Sequence, residues 1–100
     1  MKNFRTLDLA IRFYRQVTTL KLPHHLKDQL LRSSSSIALN LSEARGKSSR
    51  RDQKRYFEIA LGSLRESQTA LLLADGVRPD LHDLADHLGA SLYLLIRRAG

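Results

Sequence analysis

Residues 32–43, RSSSSIALNLSE, indicate the fold of this 100-residue chain more strongly than any other stretch. Their apolar side chains recur at helical rather than alternating spacing, within a pattern that runs from His24 to Arg45. The apolar face of this segment contains Leu26, Leu30, Ile37, Leu41 and Ala44. Because serine hydroxyls compete for backbone hydrogen bonds, a run of serines inside a helix needs a compensating role. We expect these small side chains to let a neighbouring helix approach closely, with Gly62 and Ser63 forming the matching narrow surface.

Amphipathic segments near the two ends of the chain predict a first and a last helix. The first runs from about Thr6 to Leu20. Its apolar face contains Leu7, Ile11 and Tyr14, with Ala10 and Val17 beside them. The last begins at about Asp80, and its broad apolar face contains Leu81, Leu84, Leu88, Leu92, Leu95 and Ile96. Gly89 lies inside this last helix and weakens it by about 1 kcal/mol relative to Ala.

A helix N-capping motif and a regular apolar seam predict one more helix, the third along the chain. Residues 49–52, SRRD, have the form of a capping box, in which side-chain oxygens accept hydrogen bonds from the first backbone amides. Downstream, large apolar side chains recur every seven residues with small ones between them, as in the seam of a helical bundle. The seam contains Phe57, Leu64 and Leu71, with Ala60, Ser67 and Ala74 between them.

The breaks between these segments are short. Pro23 separates the first two helices, Gly46 follows the second, and residues 76–79 close the third. We expect Gly46 to form a left-handed cap at the end of its helix. No connection has room for a linker or a second domain. The sequence therefore predicts a single all-α domain over residues 1–100, folded as an antiparallel up-down-up-down four-helix bundle.

The net charge of +7 is unevenly distributed along the chain. Residues 1–55 hold 13 Lys+Arg and 4 Asp+Glu, a net charge of +9, whereas residues 56–100 hold 4 and 6, a net charge of −2. The positive charge is densest in a segment that contains Arg45, Lys47, Arg50, Arg51, Lys54 and Arg55. Four aspartates in the C-terminal third, Asp75, Asp80, Asp83 and Asp86, repel polyanions.

This basic segment is the candidate nucleic-acid-binding site. Cationic side chains at a helix start and its preceding loop neutralise phosphates, and free amides near Ser49 and Arg50 add to anion binding. The alternative is a solvated basic helix end that binds nothing. Since Tyr56 and Phe57 fit the bundle seam better than a base-stacking platform, we expect any recognition to be largely insensitive to sequence.

The remaining polar residues predict structural roles. Asn40 lies near the inward seam, where a buried amide needs partners, and Glu43 is the expected acceptor one turn away. An acid–base pair formed by Glu43 and Glu66 is the catalytic alternative. We expect instead that these glutamates form ion pairs or helix-terminus contacts with Arg32, within or between subunits, because no nucleophile accompanies them. Asp83 and His87 share a helix face but are too few for a zinc site, so we expect no metal, cofactor or enzymatic activity.

Residues 32–43 resemble the signature of the bacterial 23S ribosomal RNA intervening-sequence protein family, which includes the accessory variability determinant of diversity-generating retroelements. That signature has an arginine, small residues, Ser-Ile, then Asn, Ile or Leu, Ala or Ser, and Glu. Residues 55–66, RYFEIALGSLRE, look like the family's second motif, with its Ala-x-Gly-Ser-Leu-x-Glu core. One departure is Ala44, where relatives commonly have glycine. The motif residues, to which we assign structural roles, are Arg32, Ser36, Asn40, Glu43, Gly62, Ser63 and Glu66.

The resemblance implies a four-helix bundle that assembles as a homopentameric ring with strongly basic surfaces. The similar retroelement protein binds nucleic acid and a reverse transcriptase. Two hypotheses follow: a non-enzymatic oligomer that binds RNA or DNA with little sequence specificity, or an adaptor for an acidic protein partner such as a reverse transcriptase. No apolar run is long enough to span a bilayer, and no signal peptide is evident, so we expect a cytoplasmic protein without a membrane partner.

Overall fold

A computed structural model describes residues 4–99, and within that range the chain forms four helices and no strand. The helices are α1 (Arg5–Thr18), α2 (His24–Arg45), α3 (Arg50–Leu73) and α4 (Pro79–Ala99). The bounds of α2 match those that the sequence predicts, because Pro23 and Gly46 flank it. No helix in this part of the chain is both long and apolar enough to cross a membrane.

The helices run antiparallel to their neighbours in the chain. The hydroxyl of Thr6, near the start of α1, lies 2.5 Å from that of Ser91, in the second half of α4. Between the two middle helices, the hydroxyls of Ser33 and Ser67 lie 2.7 Å apart. Each helix packs against the next, and α4 packs against α1, with the most extensive contact between α2 and α3. This arrangement confirms the predicted all-α, up-down-up-down bundle.

The start of α3 and the end of α2 are held by different hydrogen bonds. The Asp52 amide donates to the Ser49 hydroxyl at 3.1 Å, which confirms the predicted start of α3. The left-handed cap expected at Gly46 is wrong, since its φ is −82°. Amides of Gly46 and Lys47 instead donate to carbonyls three residues earlier, at 3.1 Å each, and satisfy the helix end without a left-handed residue. Among residues 4–99, Gly76, with a φ of 73°, is the one left-handed glycine, and it follows α3.

The core confirms most of the predicted face of α2 and the predicted seam of α3 except Ala74, which follows the helix and is only partly buried. In α3, Phe57, Ala60, Leu64, Ser67 and Leu71 are buried. The largest fully buried apolar side chains are Phe13, Leu30, Ile37, Leu41, Leu64, Leu71, Leu81, Leu88 and Leu92. Each of these contributes about 1.5–3 kcal/mol relative to an exposed position. Among residues 4–99, no buried side-chain polar atom lacks a hydrogen-bond partner, so the serines inside the bundle are accommodated without a penalty for unmade bonds.

The predicted apolar face of α1 is rotated from the observed one. Leu9, Ala10, Phe13 and Val17 are buried, whereas Leu7, Ile11 and Tyr14 are only partly buried. Both sets have helical spacing, so periodicity alone does not separate them. Packing against the neighbouring helices selects Phe13 for the core, while Tyr14, which carries a hydroxyl, stays only partly buried.

The close helix approach expected at Gly62 occurs at Gly89 instead. A Cβ added to Gly89 would lie 3.3 Å from Cδ2 of Leu64, whereas one added to Gly62 would meet nothing within 4 Å. Gly89 therefore lets α4 pack closely against α3. The serines of α2 do face α3, as expected, and the hydroxyls of Ser36 and Ser63 lie 2.8 Å apart.

Candidate nucleic-acid interface

All six residues of the predicted basic segment lie at one end of the bundle. Arg45 is the last residue of α2, and Lys47 lies two residues later in the connection. Arg50 and Arg51 begin α3, and Lys54 and Arg55 lie one turn further along it. The side chains of Arg45, Arg50, Arg51 and Arg55 are exposed, whereas those of Lys47 and Lys54 are partly buried. The fold therefore presents most of this charge to solvent.

Three more cations lie at the same end, and sequence reasoning missed them. Because α1 and α4 run antiparallel to their neighbours, the first turn of α1 and the last turn of α4 join the basic segment. These turns contribute Arg5, Arg97 and Arg98, all exposed. We call the complete set the basic end: Arg5, Arg45, Lys47, Arg50, Arg51, Lys54, Arg55, Arg97 and Arg98. The predicted order and antiparallel direction of the helices indicate these three residues, because they determine which helix ends lie together.

The aspartates of the C-terminal third lie near the opposite end of the bundle. Asp75 lies in the turn after α3, and Asp80 is in the first turn of α4, where it pairs with Arg78 at 3.1 Å. Helical rise separates Asp80 from Arg98 by about 27 Å, in a molecule whose longest axis is 40 Å. Although α4 belongs to the net-acidic part of the sequence, its last turn is basic. One residue of the basic end, Arg5, also lines a groove beside Asp80 and Asp83.

Aromatic rings at the basic end are in contact with the chain's own cations. The Lys47 ammonium lies 5.1 Å from the centroid of the Tyr56 ring, and the Arg55 guanidinium lies 5.8 Å from it. The Arg45 guanidinium lies 5.4 Å from the Phe4 ring. Phe57 is buried, as its position in the seam predicts. These rings therefore anchor cationic side chains and do not form an open platform for bases.

The connection before α3 is held in place by neighbouring polar groups. The Gln53 side chain donates to the Lys47 carbonyl at 3.1 Å. The Lys47 ammonium also lies 3.8 Å from a carboxylate oxygen of Glu43, in a pair whose side chains are 33% and 53% exposed. Such an exposed pair contributes less than about 1 kcal/mol. Arg50 and Arg51, the first two residues of α3, are exposed at the positive end of the helix dipole, which favours an anion.

A groove of about 470 Å³ between α1 and α4 opens at the same end of the bundle. Phe4, Leu9 and Leu94 form part of its apolar lining, and Arg5 and Arg98 lie on its wall. The α1–α4 contact is the least extensive in the bundle, which leaves room for this groove.

Of the motif residues, Ser36 and Ser63 form the expected contact between α2 and α3, whereas Asn40 does not form the one that the sequence suggests. The Asn40 amide donates to the Ser36 carbonyl at 2.8 Å and to the Ser36 hydroxyl at 3.1 Å, so the expected pairing with Glu43 is wrong. Asn40 is only partly buried, and a serine one turn earlier satisfies its amide more directly than an exposed carboxylate.

The charged motif residues are exposed. Glu66 accepts a hydrogen bond from Gln29, and Arg32 forms no ion pair within residues 4–99. The expected pairing of Arg32 with a glutamate therefore does not occur inside this part of the protomer. Gly62 is also exposed, so the structure assigns it no internal packing role.

No group of three or more potential metal ligands is found among residues 4–99. His24 lies 3.2 Å from Asp28 on the exposed surface of α2, as an isolated pair.

Comparison with known proteins agrees with the fold and with the two sequence motifs. No curated protein and no solved structure matches the chain. The family model described as 23S rRNA-intervening sequence protein matches residues 4–79, which span α1, α2, α3 and the connection to α4. The chain belongs to the 23S rRNA-intervening sequence protein family.

Proposed function

We propose that this chain is a non-enzymatic, cytoplasmic oligomer that binds RNA or DNA through its basic end, with little sequence preference. The observation that carries the proposal is the meeting of nine cationic residues, from all four helices and the α2–α3 connection, at one end of the bundle. A polyanion bound there displaces condensed counterions from its phosphates, which is a favourable and sequence-independent contribution to affinity.

The local geometry favours phosphates over bases as the contacted groups. Exposed guanidinium groups of Arg50 and Arg51 lie beside the first amides of α3, where the helix dipole also favours negative charge. The aromatic side chains nearby are buried or already contact cations. Assembly of several copies, as in the predicted homopentamer, combines weak individual sites into useful avidity.

The test is a titration of labelled single-stranded RNA and of duplex DNA at low salt. The variant Arg50→Glu/Arg51→Glu reverses charge at the basic end. The matched control Arg12→Glu/Arg15→Glu makes the same change in total charge at exposed positions of α1, beyond its first turn. We expect the first variant to lose at least about tenfold in affinity, and the control to lose much less.

Three outcomes would overturn the proposal: no binding by the unmodified protein at low salt, an equal loss in both variants, or no loss in the variant of the basic end. An equal loss would show that total charge, and not the basic end, determines the interaction. Helicity measured by circular dichroism shows that each variant is folded before its affinity is compared.

One observation favours the adaptor as a second candidate. The α1–α4 groove combines an apolar lining, including Phe4 and Leu94, with Arg5 and Arg98 on its wall. An acidic protein segment with apolar side chains fits such a groove better than a phosphate backbone does. Leu94→Arg distinguishes the candidates, because it fills the groove with charge yet adds a cation at the basic end. Weaker binding to a reverse transcriptase with unimpaired RNA binding would support the adaptor.

A further inference from the structure

One aromatic ring of this chain lies largely in solvent. The chain has three phenylalanines and three tyrosines, all of them within residues 4–99. Five of these side chains are buried or partly buried, whereas Tyr93, in the second half of α4, is 55% exposed. Packing of the bundle core therefore leaves much of this ring available to a ligand.

Tyr93 lies on a side of α4 that leads to the basic end. Gly89, Tyr93 and Arg97 follow one another at intervals of four residues, which places them on neighbouring turns along one side of the helix. Gly89 packs closely against Leu64, so this side of α4 borders α3. Helical rise separates Tyr93 by about 6 Å from Arg97, which belongs to the basic end.

A cation of the basic end contacts the exposed ring. The Arg97 guanidinium lies 5.9 Å from the centroid of the Tyr93 ring. Within residues 4–99, Tyr56 contacts two cations and is partly buried, whereas Tyr93 contacts one and is exposed. Because a ring has two faces, much of the surface of Tyr93 stays open to a second planar group.

The planar group that suits this position is an unpaired nucleobase. A base stacks on an aromatic ring through its own π face, and an arginine beside the ring adds a cation–π attraction. Every base has such a face, so stacking agrees with the small sequence preference of the proposed function. In a duplex, neighbouring base pairs cover these faces, whereas unpaired bases can turn outward and stack on a side chain.

We propose that Tyr93 stacks on an unpaired base of a strand whose phosphates lie on the basic end, and that this chain therefore prefers single-stranded nucleic acid to duplex. The stacking site rests on the proposed function and deepens it by naming the class of nucleic acid. Tyr93 and Arg97 lie beyond residues 4–79, the part of the chain that the family model matches. They are therefore features of this chain that the match does not include.

The test compares affinities at low salt for three DNA probes of equal length. The probes are oligodeoxythymidine, the same strand with an abasic site in place of every base, and a duplex. The two single strands have the same charge and differ only in their bases. Tyr93→Leu removes the ring but keeps an apolar side chain, and Tyr93→Phe keeps the ring. Leu94→Ala is the matched control, since it truncates the adjacent side chain, which is 48% exposed and has no ring.

The expected result is a preference for bases that depends on the ring. The unmodified protein, Tyr93→Phe and Leu94→Ala should bind oligodeoxythymidine at least about fivefold more tightly than the abasic strand. Tyr93→Leu should bind both single strands with equal affinity and the duplex as the unmodified protein does. Equal affinity of the unmodified protein for the two single strands, or a preference that Tyr93→Leu retains, would overturn the proposed stacking. Helicity measured by circular dichroism shows that each variant is folded.

A ring that only holds Arg97 in position gives a different result. Phosphates attract the Arg97 guanidinium in all three probes, so Tyr93→Leu would then weaken binding to each of them by the same factor. Such a uniform loss would overturn the stacking of Tyr93 on a base.

The same titrations separate the stacking site from the proposed function. If the unmodified protein binds all three probes and Tyr93→Leu changes none of the affinities, the proposed function stands and the stacking site is wrong. If the unmodified protein binds none of the probes at low salt, both proposals are wrong.

Discussion

The basic end and the exposed side of α2 and α3 carry charged side chains in different arrangements. At the basic end, nine cationic residues from all four helices and the α2–α3 connection lie together, and four of them also contact aromatic rings. On the exposed side of α2 and α3, Arg32 and Arg55 alternate with Glu43 and Glu66, and Arg55 belongs to both regions. Charges of one sign attract a polyanion, whereas alternating charges partly cancel one another. The total charge of +7 describes neither region.

The largest expected effect weakens binding by the basic end. Replacing Arg50, Arg51, Arg97 and Arg98 by alanine removes four of its nine cations, two from α3 and two from α4. The slope of log affinity against log salt should fall by about 1 for each lost phosphate contact. The salt dependence of RNA binding measures this slope. A slope that does not change would show that none of these four arginines contacts a phosphate.

The next effect concerns two glycines with opposite surroundings. Gly62→Ala should stabilise the isolated protomer by up to about 1 kcal/mol, because it adds helix propensity where nothing lies within reach. Gly89→Ala should gain less or become destabilising, because its Cβ approaches the buried Leu64 side chain. Urea unfolding below the concentration of association compares the two. Equal gains would show that the α3–α4 contact does not need Gly89.

A smaller effect is expected where the basic end depends on helix capping. Ser49→Ala removes the acceptor of the Asp52 amide and should lower the free energy of unfolding by about 1 kcal/mol. Hydrogen exchange should show faster exchange in the first turn of α3, beside Arg50 and Arg51. Unchanged exchange in that turn would mean that Ser49 does not hold the start of the helix.

The smallest effect concerns the exposed pair that Glu43 and Lys47 form. Glu43→Gln removes this weak pair, so the free energy of unfolding should change by less than about 0.5 kcal/mol. Urea unfolding measures the change. A loss of more than about 1 kcal/mol would show that the pair stabilises the connection before α3.

The helix order and two helix boundaries were predictable because local chemistry determines them. Pro23 cannot continue a helix, and Ser49 satisfies the first amides of the next one, so both signals are complete in the sequence. The fully buried side chains of α3 were predictable for a related reason: large and small residues recur along one narrow seam. The basic segment was also predictable as a dense charge, but only as the part of the interface that is contiguous in sequence.

Other features depend on how the helices pack, which periodicity does not specify. The apolar arc of α1 is wide, and only its contacts with neighbouring helices select Phe13 over Tyr14 for the core. Which glycine meets another helix depends on the crossing geometry, so Gly62 and Gly89 exchange their expected roles. Arg97 and Arg98 join the basic end only because α4 runs back toward the start of α3. The distribution of charge along the sequence does not predict this, because the fold brings together charged residues that are far apart in the chain.

Light scattering of the unmodified protein, with and without single-stranded RNA at low salt, tests the central claim most directly because it reports assembly and binding together. The account predicts a free species whose mass is a multiple of 11.4 kDa, five in the case of the pentamer, and a heavier complex when RNA is added. A species of 11.4 kDa whose mass RNA leaves unchanged would contradict it.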